Sequence, residues 1–91
     1  SIKDEVLQTE ELAAELIRFL AANYPGVLEN KYTITAAPDP YVMLGRIAES
    51  RHCLVRGNEL DTEKAAMLLM DDFREGKLGR LTLEYPQTEE A

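Results

Sequence analysis

The 91-residue sequence has one cysteine, one histidine and no tryptophan. Cys53 has no partner for an internal disulfide, so a secreted fold stapled by disulfides is excluded and a reducing cytoplasm is the expected setting. One cysteine and one histidine also fall short of the ligand spacing that builds a zinc site. No apolar run reaches the ~18 residues of a membrane-spanning helix. The first residues lack the basic, apolar and small-residue order of a signal peptide. An excess of positive charge is missing too: 17 acidic residues against 10 basic ones leave a net charge of -7. Taken over the whole chain, that balance disfavours nucleic acid, whose binding needs a basic surface to release counterions. With 45% hydrophobic and 30% charged residues, the composition is that of one ordinary globular domain with a modest core.

The distribution of charge changes the argument. Residues 1–40 carry three basic and seven acidic side chains, residues 41–80 carry seven of each, and residues 81–91 carry three acids. Within the second half, Arg51 to Asn58 holds Arg51, His52 and Arg56 with no acid. Arg74 to Arg80 holds Arg74, Lys77 and Arg80 against Glu75 alone. A local basic face is therefore compatible with an acidic protein.

Helix signals organise the chain. Thr9 reads as an N-cap with Glu10 and Glu11 in the first turn, predicting a helix to about Asn23 whose core face is Leu12, Ala13, Leu16, Ile17, Phe19 and Leu20. Pro25 fits the first position of a short helix through Val27 and Leu28. Asp39 followed by Pro40 is a second start, with Met43, Leu44, Ile47 and Ala48 on one face and an end near Ser50. Leu54 and Val55 are expected to be briefly extended, and Gly57-Asn58 to form a turn. Asp61 caps the clearest helix, with Ala65, Ala66, Leu69, Met70 and Phe73 inward, and Gly76 supplies its left-handed exit. Four helical segments with little strand signal predict an all-α bundle. The expected organisation is a linker remnant over 1–8, a helical domain over 9–85 and a frayed tail over 86–91.

Catalytic constellations are not evident. His52 and Cys53 adjoin but lack a third orienting group, which favours a loop histidine beside a buried thiol. Asp71 and Asp72 point in different directions on a helix and read as solvated charges. Met67 and Met70 read as core filler. Gly76-Lys77 lacks the upstream glycine and the following Ser or Thr of a phosphate loop, and Asn30-Lys31-Tyr32-Thr33 ends in Thr where a guanine-reading motif needs Asp. This chain alone is expected to have no enzymatic activity and no cofactor or metal of its own.

The run from Gly57 to Glu84, preceded by Pro40 to Val55 and by Leu12 to Tyr32, resembles the C-terminal domain of the YlqF/RbgA family of bacterial ribosome-biogenesis GTPases. The most specific parts are Asp61, Lys64-Ala65-Ala66, Asp72-Phe73-Arg74 and Gly76-Lys77-Leu78-Gly79-Arg80. The resemblance implies an all-α fold similar to the RNA-binding helical domain of transcription antitermination regulators. It also implies a preceding GTPase domain that holds GTP and Mg, with ribosomal RNA of the immature large ribosomal subunit as partner. His52 and Asn58 stand where the family pattern has glycine.

Two readings of the basic residues follow. Arg74 and Lys77 can complement the negative end of their helix, at roughly 0.3–1 kcal/mol each. Alternatively Arg74, Lys77 and Arg80 project from one edge, with Gly79 admitting close backbone approach to a phosphate and Arg51 and Arg56 completing the patch. The resemblance favours the second, an accessory domain that grips RNA and positions the GTPase. A protein-interaction module is the alternative, docking on its own GTPase domain or on ribosomal proteins through the acidic first helix with Glu10, Glu11 and Glu15. Tyr32, Tyr41 and Tyr85 are aromatic candidates for base stacking, a role weaker than that of core tyrosines.

Overall fold

A computed structural model describes residues 1–81, and the expectations for Tyr85 and for the tail over 86–91 lie outside the described residues. Four helices follow in order: α1 (Ile2–Asn23), α2 (Val27–Tyr32), α3 (Pro40–Ser50) and α4 (Thr62–Arg74), with a short 3-10 turn at Arg56–Asn58. Among the described residues the only β pairing is a single bridge between Leu54 and Leu60. The expected all-α bundle is what forms.

The expected start of the first helix at Thr9 is overturned. Ser1 caps α1 by accepting from the Asp4 amide at 3.3 Å, and Asp4 and Glu5 occupy the first turn. Thr9 instead donates its hydroxyl back to the Glu5 carbonyl at 2.9 Å, the bond a threonine makes inside a continuing helix. The buried stripe is also rotated from the expected one: Ala13, Ala14, Ile17 and Leu20 are buried, whereas Leu12 and Phe19 are 56% and 43% exposed. The reason lies in the neighbour. α1 packs most extensively on α4, whose buried face is Ala65, Ala66 and Leu69. The four alanines are fully buried, and short side chains on both helices let the two surfaces close together. α3 lies against both helices and contributes Met43, Leu44, Ile47 and Ala48 to the same core, as expected.

Helix starts follow the sequence at α3 and α4. Asp39 accepts from the Tyr41 amide at 2.8 Å with Pro40 at the first helical position, and Asp61 accepts from the Lys64 amide at 3.0 Å. Pro25 is displaced from its expected role, because Gly26 at φ 91° is the residue that opens α2.

The helix ends share one device. After α3, His52 takes φ 56°, its amide donates to Glu49 at 3.2 Å and the Cys53 amide donates to Ala48 at 2.8 Å. After α4, Gly76 takes φ 71°, its amide donates to Phe73 at 3.2 Å and the Lys77 amide donates to Asp72 at 2.8 Å. Each closure satisfies carbonyls that a helix end leaves unpaired. α2 ends in the same way, with Thr33 at φ 56° and the Ile34 amide on Glu29. Asn58 is left-handed as well, at φ 63°, a conformation that asparagine tolerates better than most residues. Arg46 pins the segment that follows α2 by donating to the Thr35 and Ala36 carbonyls at 2.8 and 2.9 Å.

Two outcomes test this account. Ala66→Leu overfills the α1–α4 contact and is expected to lower unfolding free energy by about 1–3 kcal/mol in urea titration. His52→Gly relieves a left-handed side chain at an exposed position and should raise it by about 0.5–1 kcal/mol, after the added freedom of the unfolded chain is counted.

Candidate nucleic-acid interface

The basic residues expected to act together are built around the exit of α4. The left-handed turn at Gly76 sends the chain back toward the bundle, and Leu78 enters the core at 4% exposure. With Leu78 anchored, Lys77 and Arg80 stand on the surface on either side of it. Gly79 is exposed at φ 117°, with no atom near the position a Cβ would take. Gly79 and Arg80 run beside Tyr24, Pro25, Val27 and Asn30, at the corner between α1 and α2.

Local carboxylates partner two of the cations. Arg74 pairs with Asp71, and Lys77 Nζ lies 2.9 Å from Glu75. The hydrogen bond that Lys77 donates to Glu75 raises the Lys77 pKa and keeps the amine charged. All four side chains are exposed, where such pairs are worth about 0–1 kcal/mol and exchange readily for another anion. Arg80 and Arg56 form no ion pair among the described residues.

Arg51 reaches this end of the molecule through two residues whose connection the sequence did not reveal. Tyr32, at the last position of α2, is 1% exposed and donates its hydroxyl to Asp72 of α4 at 2.7 Å. Burial first, and then the bond to Asp72, push the phenol pKa far above its usual value, so it remains a donor. The Arg51 guanidinium lies over the same ring at 4.9 Å from its centroid and donates to the Lys31 carbonyl at 3.1 Å. Asp72, expected to be a solvated helix charge, is therefore a structural acceptor, and Tyr32 is a core residue rather than a stacking platform. Tyr41 remains half exposed. No local pattern announces a contact between residues 40 positions apart; a tyrosine at the end of a short amphipathic helix is the one available hint.

Arg56 does not join the others. It sits in the 3-10 turn that leads into the start of α4, where the Asp61 amide donates to Cys53 at 2.7 Å. The helical rise from Asp61 to Arg74 is roughly 20 Å, and the basic exit lies at its far end. The structure thus connects Arg51, Tyr32, Asp72 and the Arg74–Arg80 segment, and leaves Arg56 at the opposite end of α4.

His52 is exposed while Cys53 is buried. No group of three metal-ligating side chains occurs among the described residues, and no described helix is long and apolar enough to cross a membrane. Gly76-Lys77 follow a helix at its negative end, whereas a phosphate loop precedes a helix and uses its N-terminal amides. Residues 30–33 close α2 with Thr33 in place of an acid. A cleft of ≈ 390 Å³ between α1, α2 and the Pro38–Pro40 segment is lined mainly by apolar residues, among them Ile17, Leu20, Val27 and Met43.

The chain is similar in sequence to known proteins. The chain is 34% identical over 88 residues to ribosome biogenesis GTPase A of Bacillus cereus, a match covering 96% of this chain and 30% of that protein. It is 33% identical over 91 residues to the protein of the same name in Priestia megaterium, covering 99% and 32% respectively. The Bacillus pumilus protein matches at 33% over 89 residues. The chain matches a C-terminal segment of the RbgA/YlqF GTPases. It spans about a third of the length of these curated relatives. No family model and no solved structure matches it. The expected resemblance to this family is met.

The tie between α2 and α4 has a measurable weight. Tyr32→Phe removes the phenol–carboxylate bond while keeping the ring, and is expected to cost about 1–2 kcal/mol of stability by urea unfolding.

Proposed function

We propose that this chain is an RNA-binding accessory domain of a ribosome-assembly GTPase, contacting ribosomal RNA of the immature large subunit through the exit of α4. The observation that carries the reading is the arrangement around Leu78. A buried anchor holds Lys77 and Arg80 at the surface beside an open glycine backbone, and the local carboxylate partners are exposed and exchangeable. The net negative charge of the chain does not oppose this, because the seven acids of residues 1–40 belong mostly to α1. In the longer protein the GTP and magnesium sites lie outside this chain, and the domain's part is to hold that activity against its RNA substrate. Cytoplasmic location follows from such a partner.

A second reading draws on α1. Leu12 and Phe19, two turns apart, leave an apolar strip half exposed on the flank of the bundle, suited to a protein contact with the GTPase domain or a ribosomal protein. The acidic side chains first suited to that role are partly engaged internally: Glu10 accepts from Thr62 at 2.8 Å and Glu15 pairs with Arg18 at 2.9 Å. A docking role on this flank would rest on Leu12 and Phe19 more than on charge.

Binding to immature large subunits across a salt series separates the two. For a Lys77→Ala, Arg80→Ala double variant, the RNA reading requires weaker binding and a log–log salt slope shallower by about 1.4–1.8, the value for two phosphate contacts. Unchanged binding in that variant, with loss in a Leu12→Ser, Phe19→Ser variant, would replace the RNA reading with the protein one.

A further inference from the structure

We infer that Arg51 is a preorganised phosphate-binding residue of the RNA interface, with Tyr32 and Asp72 as the positioning residues that hold its guanidinium in place. The inference rests on the RNA-binding reading above and adds to it a chain of support that runs through the core.

Three observations carry it. The first is the state of the Arg51 charge. Arg74 and Lys77 are each paired with a carboxylate, but Arg51 is held by two neutral partners, the Lys31 carbonyl at 3.1 Å and the Tyr32 ring at 4.9 Å. Its positive charge is not matched by an ion pair among the described residues. The second is geometry. A guanidinium offers five N–H donors in one plane, and stacking on an aromatic face leaves the edges of that plane open. One N–H is engaged by Lys31, and the side chain is otherwise exposed, so a planar fork faces outward for bidentate contact with a phosphate.

The third is rigidity of the support. Arginine ordinarily loses considerable rotamer freedom when it binds, which weakens the net gain. Here the ring beneath it is fixed at both ends of its own side chain: Tyr32 is buried in the core, and its hydroxyl is locked on Asp72. Asp72 in turn gives its backbone carbonyl to the Lys77 amide at 2.8 Å. One residue of α4 thereby connects the Arg51 platform to the turn that carries Lys77 and Arg80. The two halves of the interface are set in a fixed relation by a side chain and a carbonyl of the same aspartate.

The decisive variant is Arg51→Lys, which keeps the charge and the exposed position but has no plane to stack and no fork. Binding of the 91-residue chain to immature large subunits is measured for wild type, Arg51→Lys, Arg51→Ala, Tyr32→Phe and the Lys77→Ala, Arg80→Ala variant, with helix content checked by circular dichroism. Arg51→Lys is expected to bind about fivefold more weakly than wild type despite its charge. Arg51→Ala should also lose about 0.7–0.9 of salt slope, the share of one phosphate. Tyr32→Phe should weaken binding about twofold to threefold with the slope unchanged, because no phosphate contact is removed. If Arg51→Lys binds like wild type while the Lys77→Ala, Arg80→Ala variant is impaired, Arg51 serves only to tether α2 and the inference falls while the RNA reading stands. If wild type itself fails to bind, or binds indifferently to salt, both fall together.

Discussion

The hydrogen bond from Tyr32 to Asp72 is the constraint on which the arrangement of this molecule turns. α2 is only six residues long, too short to hold its shape by its own hydrogen bonds. It is kept in register by burying Leu28 and Tyr32 and by the phenol that reaches α4. Because Asp72 lies in the last turn of α4, the same bond fixes the place from which the chain leaves that helix. A buried hydroxyl without an acceptor would cost on the order of 1–3 kcal/mol, so the position of Asp72 is tightly specified.

Around that tie the bundle divides its labour. The alanines of α1 and α4 are fully buried where these helices meet, and α3 adds Met43, Leu44 and Ile47 to the same core. The ends of the helices carry the exposed chemistry. The chain matches the C-terminal third of ribosome biogenesis GTPases, and exposed helix exits and loops on a packed core are the places where binding residues are commonly carried.

Features that depend on neighbouring residues were readable from the chain. Asp39-Pro40, Asp61, Gly76 and the Gly57-Asn58 turn act through bonds within a few residues, and each forms as local rules dictate. What was not readable depended on partners far along the chain. The α1 stripe rotated because α4 presents alanines, a choice invisible within α1 itself. Thr9 was misleading because a hydroxyl that can cap a helix can also bond back one turn inside it, and Ser1 provided an earlier cap. For the candidate interface, the Lys77–Arg80 segment was legible from two glycines and its charge. The role of Asp72 was not, since its partner Tyr32 lies 40 positions away along the chain.

The left-handed closures after α2, α3 and α4 have a consequence for the time course of folding. Each reversal is encoded within six residues, so once its helix is in place it closes on the microsecond scale of turn formation. The slow search is then reduced to bringing α1 and α4 together across the intervening chain, a loop closure whose entropic cost grows only slowly with length. The α1–α4 contact, rather than the turns, then joins the residues most distant along the chain and is the one expected to limit the rate.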